Sequence, residues 1–522
     1  MDEAVRSGTN RARMVLGTRL ARVFRADPAA IAIAVCVAAF ALFALIDFVR
    51  LFPLIEYRQW AQAANVDLPF KVGISRSLAF FTAALAGAVF GYVPFWHNLF
   101  QIALVTASGA FLGALLRRLF PGAPWPLAAG AVAFYLFTEA MLEALSWQAT
   151  LLDKLAVLFT AAALYLTSLI DLDKDDRATI GTVNLAMLLL VWCAYNSKEA
   201  AWALVPSIVV LLAIRYLDRD GGWSARALAG AFRKSLTYLG ASVLYAIYHI
   251  ALVFAARSPA ANAHNLSGNA SLNLYYYILY MLNADPLARW LGVFPYAVPE
   301  ARVRLFALCV ILVAAAGVAI FLRAPRPLAR WWVWALFSFL LAFVIPAQTQ
   351  FASAFYLLVP AFYLAIFLFV TVLALMRAFP EARAQRITLG AAGVLLALHL
   401  LGFVQIAPSY TRVAVLSSNF EGALGALRAQ LAQTPKPSSV VFDWPKSETT
   451  AYKFLEPTHF SSLAEYLLPR GTSPDDIRVL NAAITDQGYD DAAPPNPAPA
   501  PGTITVVLGK DLALKQIVAP AR

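Results

Sequence analysis

The sequence predicts an all-α polytopic membrane protein of about eleven transmembrane helices, with a large first external loop and a small external α/β tail. Of its 522 residues, 61% are hydrophobic and only 14% are charged. A soluble domain is nearer half apolar and a quarter charged. The apolar residues form runs of roughly 17–25, which is the length that crosses the hydrocarbon core. Basic residues lie mainly in the short gaps between these runs, as in membrane proteins of fixed orientation.

The apolar runs place the spans in chain order. They lie near residues 29–48, 95–116, 125–145, 151–170, 180–196, 200–216, 235–256, 303–322, 331–346, 355–376 and 387–407. The tail 1–27 carries six arginines, which predicts that the N-terminus is cytoplasmic. No short apolar region with a small-residue cleavage site follows, so we interpret the first span as an uncleaved anchor.

Basic residues alternate between the two predicted sides. The gaps expected in the cytoplasm hold Arg117 and Arg118; Lys174 and Arg177; Arg215, Arg219, Arg226, Arg233 and Lys234; Arg323, Arg326 and Arg330; and Arg377, Arg383 and Arg386. The gaps after residues 145, 196 and 346 are nearly free of Arg and Lys. The net charge of +11 therefore indicates topology, and no nucleic-acid partner is expected.

Three regions are expected on the external side of the transmembrane domain, 28–409. The first loop, 49–94, contains an apolar stretch, 77–93, which we interpret as a helix lying in or dipping into the outer leaflet. The second loop, 257–301, carries an aromatic-rich amphipathic stretch that suits an interfacial helix. The tail 410–522 is soluble in composition, with a helix in EGALGALRAQLAQ and strands in SSVVFDWP and TITVVLG.

Charged and aromatic side chains gather at the external ends of several spans. They are Asp47 and Glu56 after the first span, Glu143, Trp147 and Asp153 between the third and fourth, and Lys198 and Glu199 after the fifth. Carboxylates can act as general bases, while Lys and Arg neutralise phosphate. This combination suits transfer of a group from a lipid-linked phosphate donor.

Structural alternatives stay open for these residues. Glu143 could pair with a basic residue of a neighbouring helix, and this interpretation is favoured for Glu139, four residues earlier. Asp47 could pair with Arg50, and Lys198 could be a snorkelling lysine at a helix end. His249 and His399 lie in apolar runs and are interpreted as core residues. No residues have the spacing of a metal site, and the three cysteines indicate neither a disulfide nor a zinc site.

The segment from Glu143 to Phe159, EALSWQATLLDKLAVLF, resembles a segment of the GT-C type of membrane glycosyltransferases. The likeness is to the tetratricopeptide-repeat-bearing O-mannosyltransferases and their bacterial relatives. Further matching points, in the same order, are Arg76-Ser77-Leu78, Trp96-His97, Asn196 to Ala200 and the stretch 343–360 with its Tyr356. The family's Arg two residues before the Asp is Leu151 here, and its repeats are missing.

The resemblance implies a hexosyltransferase of the inner (plasma) membrane that uses a polyprenyl-phosphate sugar. Asp47 or Glu56 would be the general base, and Asp153 with Glu143 would position the acceptor or a divalent cation, Mg²⁺ or Mn²⁺. The donor phosphate would be held by Arg76, Lys198 and Arg289. The remaining substrate-binding positions would be His97, Trp147, Glu199 and Tyr356.

The partners implied are a lipid-linked sugar donor, membrane lipids, and an acceptor that is a glycan, a lipid or a protein. The product would be part of the cell envelope, and the tail would be periplasmic. Two alternatives remain: a transporter or flippase of lipid-linked glycans, and a GT-C-like scaffold without catalysis. A transporter needs charges at mid-membrane depth. Here the charged residues, apart from Glu139, lie at span ends.

Overall fold

The computed structural model describes residues 27–49, 51, 77–91, 93–170, 172, 177–256, 270–284, 286, 299–347, 354–431, 439–443, 477–480, 483–485, 488–490, 503–509 and 511–518. These residues fall into two compact units. The first unit lies within Met1–Leu42, Leu104–Met141 and Leu155–Phe403. The second unit lies within Phe43–Ala103, Leu142–Lys154 and Val404–Arg522.

Helices dominate both units, which confirms the all-α membrane class. In chain order they are α1 Pro28–Phe48, α2 Ser77–Phe90, α3 Pro94–Leu119, α4 Trp125–Leu136, α5 Glu139–Ser146, α6 Leu151–Leu169, α7 Arg177–Tyr195, α8 Leu204–Arg219, α9 Ala225–Ala256, α10 Ala270–Leu282, α11 Pro299–Arg323, α12 Arg326–Ala347, α13 Leu358–Ala378 and α14 Ala382–Leu431. Short 3₁₀ turns cover Gln148–Thr150, Glu199–Ala203 and Ala354–Leu357. Each predicted span falls on one of these helices, apart from 125–145, which falls on α4 and α5.

Fewer helices meet the length and hydropathy of a membrane span than the eleven that the sequence predicted. Within the described residues, eight helices are long and apolar enough to cross a membrane, or nine if the bent pair α4 and α5 is one span. The predicted span 125–145 is this pair, which bends by 43° at its break. The described apolar part of α7, Thr182–Tyr195, is shorter than a full span. The prediction of eleven spans therefore stays a prediction.

Helix α2 falls on the stretch that was expected not to cross. Its 14 residues are 12 fewer than the 26 of α3. At about 1.5 Å per residue, such a helix is about 21 Å long, which is shorter than a hydrocarbon core of about 30 Å. It ends at Gly91, whose φ of +59° a glycine adopts without strain. Its length supports the interpretation of this stretch as a helix that does not span.

The core of the first unit lies between α8, α12 and α13. Trp334 of α12 is fully buried, and its indole Nε1 donates to the carbonyl of Ser207 at 3.0 Å. The Ser207 hydroxyl lies 2.8 Å from that of Ser338. Buried hydroxyls and an indole N–H thus find partners between helices, as polar groups away from water must. These contacts fix the rotation of α8 and α12 against each other.

Helix α10 lies in the aromatic-rich stretch of the second predicted external loop. Tyr275 and Tyr277 are buried, and the ring of Tyr277 packs edge-on against Phe343 at 5.9 Å. These two rings are therefore buried inside the first unit, and the interfacial position of the helix stays a prediction. Trp290, in the same predicted stretch, lies outside the described residues.

An asparagine clamp closes the break between α4 and α5. Asn283, after the end of α10, donates from Nδ2 to the Phe137 carbonyl at 2.7 Å and to the His399 carbonyl at 3.0 Å. Its Oδ1 accepts from the Glu139 N–H at 2.7 Å. Its φ is +51°, a left-handed conformation that Asn tolerates better than most residues. A Cβ on Gly402 would lie 2.1 Å from the Asn283 carbonyl oxygen, so only glycine fits there.

The tail contains the two predicted strands within a four-stranded sheet. Strand β1 is Ser439–Asp443, β2 is Ile477–Leu480, β3 is Ala483–Thr485, β4 is Gly488–Asp490, β5 is Thr503–Leu508 and β6 is Leu514–Val518. The sheet order is β2-β1-β5-β6, and β3 pairs with β4 separately. Strand β1 is parallel to both β2 and β5, while β6 is antiparallel. Phe442 of β1 packs against Phe420 of α14, one residue before the stretch that the sequence predicted as a helix.

Candidate active site

The candidate site is built around a second helix break, between α5 and α6, in the second unit. Helix α5 ends at Ser146, and Trp147 adopts an extended conformation with φ −133° and ψ 107°. The Ser146 hydroxyl donates to the Glu143 carbonyl at 2.9 Å. The Thr150 hydroxyl lies 2.9 Å from the Ala144 carbonyl and 2.5 Å from that of Trp147. Side chains of this kind compete with helical hydrogen bonds, so the local sequence favours a break here.

Buried amides connect this break to the chain segment that follows α1. Asn98 of α3 donates from Nδ2 to the carbonyls of Val49, at 3.1 Å, and Leu51, at 2.5 Å. The Gln148 side chain donates to the Asn98 Oδ1 at 2.9 Å and to the Leu51 carbonyl at 3.4 Å. Both amides are buried. They satisfy backbone carbonyls that helix ends leave without partners.

A buried lysine connects the same break to α3. Lys154 donates from Nζ to the Gln101 Oε1 and, at 3.5 Å, to the Trp147 carbonyl. The ammonium also attracts the carboxylate of Asp153, its neighbour in the first turn of α6. All three side chains are buried. Asn98, Gln101, Gln148 and Lys154 are called the amide–lysine network below.

The structure brings several predicted site residues to this break. Glu143 and Asp153 are buried, and Trp147, which lies between them in the sequence, is half-buried. Asp47 is half-buried in the last turn of α1, two residues before the Val49 carbonyl that Asn98 holds. The second unit thus contains Asp47, Glu143, Trp147 and Asp153.

His97 lies at the start of α3 and is buried there. Its Nε2 donates to the Gly91 carbonyl at 2.8 Å, and its ring packs edge-on against Phe90 at 5.6 Å. These contacts close the turn between α2 and α3. The contacts described give His97 a structural role, and substrate binding by it stays a prediction.

Lys198, Glu199 and Tyr356 belong to the first unit. The ammonium of Lys198 lies over the Tyr356 ring, 5.0 Å from its centroid, which is a cation–π contact. Lys198 is buried, while Glu199 and Tyr356 are half-buried. The resemblance had grouped Lys198 and Tyr356 from segments far apart in sequence, and the structure places them in contact. The predicted residues Glu56, Arg76 and Arg289 lie outside the described residues.

The arrangement at the second break combines acids with hydrogen-bond donors. Asp153 and Glu143 supply carboxylates and Lys154 supplies an amine, and all three side chains are buried. Charges in such surroundings interact more strongly than in water. Among the described residues, no three His, Cys, Asp or Glu side chains converge as metal ligands would. Carboxylates in this arrangement can accept hydrogen bonds from a hydroxyl group and orient it.

Sequence reasoning did not assign roles to the amide–lysine network. Asn98 and Gln101 are three residues apart and therefore share one face of α3, in a span that is otherwise apolar. Lys154 stood out only as a charge within an apolar run. Polar residues recurring on one helix face were the available signal, and their partners on other segments could not be read from it.

No protein-family model matches the chain, and no curated protein matches it. Among solved structures, the chain is similar to ArnT from Cupriavidus metallidurans bound to undecaprenyl phosphate. The TM-score is 0.44 and the identity 14%, over 85% of this chain and 89% of that one. It is also similar to the Archaeoglobus fulgidus oligosaccharyltransferase in the apo form, with TM-score 0.36 and 11% identity over 84% of this chain and 64% of that one. Likenesses at these scores assign no activity and no residue role to this chain.

Proposed function

We propose that the protein is an inverting membrane glycosyltransferase of the GT-C type. It would move a sugar from a polyprenyl-phosphate donor to an acceptor on the external face of the inner membrane. The observation that carries the proposal is the second helix break. There the segment that resembles the family buries Asp153 beside Lys154, in the same unit as Asp47.

The reaction needs one base and a held leaving group. Asp47, or Glu56 in its place, takes the proton of the acceptor hydroxyl while the hydroxyl oxygen attacks the anomeric carbon. The bond from that carbon to the phosphate oxygen breaks, and its electron pair leaves with the polyprenyl phosphate. Because attack comes from the face opposite the leaving group, the configuration inverts. A phosphate departs readily, so positioning and charge neutralisation supply most of the catalysis.

The donor phosphate is assigned to cationic side chains. Lys198, supported by the ring of Tyr356, is the described member of this group. Arg76 and Arg289 are the others that the resemblance assigns to it, and Glu199 would bind substrate next to Lys198. Fixed positive charge beside the leaving oxygen stabilises the transition state more than the ground state, which is what accelerates the reaction.

The acceptor is assigned to the second break. Glu143 and Asp153 would accept hydrogen bonds from its hydroxyl groups, and the Trp147 ring would pack against it. A divalent cation was the alternative partner for these two carboxylates. The described residues do not supply three converging ligands for one, so no step is assigned to a metal. The acceptor class, whether glycan, lipid or protein, is left to experiment.

Transfer by the purified protein tests the proposal. The full chain in lipid nanodiscs is given polyprenyl-phosphate hexoses carrying a radiolabelled sugar, with glycan, lipid and peptide acceptors. We expect release of polyprenyl phosphate and labelling of one acceptor class. Asp47→Asn and Asp153→Asn should each lower kcat by about 100-fold or more, since a positioned acid or base contributes on this scale.

Two further variants complete this experiment. Glu56→Gln decides which carboxylate is the base, because only the base variant should lose turnover when Asp153 is intact. Asp220→Asn is the matched control, since Asp220 is exposed and its contacts are with Arg219 and Ser224. Full turnover in all three site variants would refute the proposal. Movement of intact lipid-linked sugar between leaflets, without transfer, would establish the transporter alternative instead.

A further inference from the structure

The amide–lysine network joins three segments of the second unit that flank the two candidate carboxylates. Asp47 lies just before the segment whose carbonyls the network binds. Asp153 lies just after the turn at Trp147, whose carbonyl the network also binds. Each of its four side chains is buried. The network therefore links the chain after α1 and the start of α6 to the same helix, α3, through side-chain hydrogen bonds.

The first half of the network fixes the end of α1. Asn98 reaches two carbonyls of the segment that leaves this helix, at Val49 and Leu51. Gln148 binds the same Leu51 carbonyl and the Asn98 amide oxygen. The position of the chain after Asp47 is thus set by an asparagine of α3 and a glutamine of the break. An amide is needed in both places, because each must donate and Asn98 must also accept.

The second half fixes the start of α6. Lys154 crosses to the Gln101 amide oxygen on α3 and also holds the Trp147 carbonyl. A buried charge costs free energy unless it is compensated, and an apolar side chain would pack α3 against α6 at lower cost. The Asp153 carboxylate attracts the Lys154 ammonium electrostatically, so the lysine also acts on the carboxylate that the proposed reaction uses.

We propose that the amide–lysine network is a positioning device that sets the separation and orientation of Asp47 and Asp153. This inference rests on the proposed function. The four residues do not touch substrate. They hold the backbone that carries the two carboxylates, and the Lys154 ammonium attracts that of Asp153. Misplacement of a catalytic group by about 1 Å can cost about 100-fold in rate, so the network acts on kcat.

The test separates positioning from substrate binding and from folding. Asn98→Ala and Lys154→Met are each expected to lower kcat by about 30- to 100-fold while KM for the polyprenyl-phosphate sugar changes less than about threefold. Lys154→Arg, which keeps the charge, should recover part of the loss. Asn98→Ala combined with Gln148→Ala should lower kcat by less than the product of the two single effects, since the hydrogen bond between Gln148 and Asn98 is lost in both.

Hydrogen–deuterium exchange gives a readout that does not need turnover. In Asn98→Ala, exchange should rise in peptides covering residues 48–51 and 147–154 and stay unchanged in α12 and α13. The control is Asn273→Ala, which removes another buried asparagine, one that donates to the Ala347 carbonyl at 3.4 Å in the first unit. It should leave kcat and exchange at both peptides unchanged.

The outcomes are distinguishable. A raised KM with unchanged kcat would make the network part of a binding site and overturn the inference, as would exchange that rises equally everywhere. An equal loss of kcat in the Asn273→Ala control would show a general folding effect and also overturn it. Wild-type protein without any transfer would refute the proposed function, while local exchange at the two peptides would still test the network as a structural link.

Discussion

The two breaks that bound α5 are closed in different ways. At the first, the Thr138 hydroxyl donates locally to the Tyr135 carbonyl, but the main closing group comes from far along the chain: Asn283 reaches Phe137 across 146 residues and His399 across 116. At the second, Thr150 reaches back six residues to Ala144, and Lys154 reaches seven to Trp147. The contacts at the first break come from neutral groups, whereas those at the second include a buried ammonium. The comparison separates a break that shapes a helix from one that is proposed to bind the acceptor.

The largest expected effect contrasts two buried carboxyl groups, one at each break. Asp153→Asn should lower kcat by about 100-fold or more, because Asp153 is proposed to orient the acceptor. Glu139→Gln, at the first break, should leave kcat unchanged. Both are measured as polyprenyl phosphate release per folded molecule in nanodiscs. A matching loss in Glu139→Gln would remove the functional distinction between the breaks.

The next effect is on stability and concerns the asparagine clamp. Asn283→Ala leaves the Phe137 and His399 carbonyls and the Glu139 N–H without this partner. We expect a loss of about 3 kcal/mol or more in the free energy of unfolding, at about 1–3 kcal/mol for each buried group left unsatisfied. Denaturant unfolding in detergent measures it. The folded fraction should keep its kcat, and a loss of less than about 1 kcal/mol would contradict the assigned role.

A smaller effect is expected from the glycine that faces the clamp. Gly402→Ala places a Cβ against the Asn283 carbonyl, which is backbone and cannot rotate away. Overpacking of this kind costs about 1–3 kcal/mol. Gly393→Ala, on the same helix with no atom within 4 Å of the new Cβ, is the control. It should be neutral or stabilising by up to about 1 kcal/mol, because alanine favours helix. Equal midpoints for both variants would argue against the close approach.

The smallest effect concerns the hydroxyl at the second break. Thr150→Val keeps the shape of the side chain but removes its donor from the Ala144 and Trp147 carbonyls. The expected loss is about 1 kcal/mol of unfolding free energy, the usual net value of one hydrogen bond. Thr388→Val, whose hydroxyl donates to the Ala384 carbonyl within α14, is the counterpart. It should change stability less, because that carbonyl lies within a regular helix.

The difference between the two breaks also explains which features of the fold and the site could be predicted from the sequence. Each apolar run that was predicted to span the membrane is helical in the structure. The runs were recognisable because the thickness of the bilayer sets their length. The second break lay within the segment singled out from the sequence, because Ser146, Gln148, Thr150 and Lys154 are its own residues. The bend at Phe137 was not predicted, and Asn283, whose side chain binds the Phe137 carbonyl, lies 146 residues away. Nor were Asn98 and Gln101 assigned roles, since their partners depend on how α3 packs. Contacts made over a hundred residues leave no local pattern.

The tail sheet sets an order of events during synthesis. Strand β1 pairs in parallel with β2 and β5, and Val440 lies opposite Ile477 and Ile504, which are 37 and 64 residues later. Parallel partners need crossover connections and form slowly, because a long loop must close before any contact stabilises it. When β1 leaves the ribosome, both its edges are therefore open and its apolar residues Val440 and Phe442 are uncovered. Until β5 has been synthesised, these open edges can pair with other chains. The sheet is therefore completed only after the membrane helices have been made.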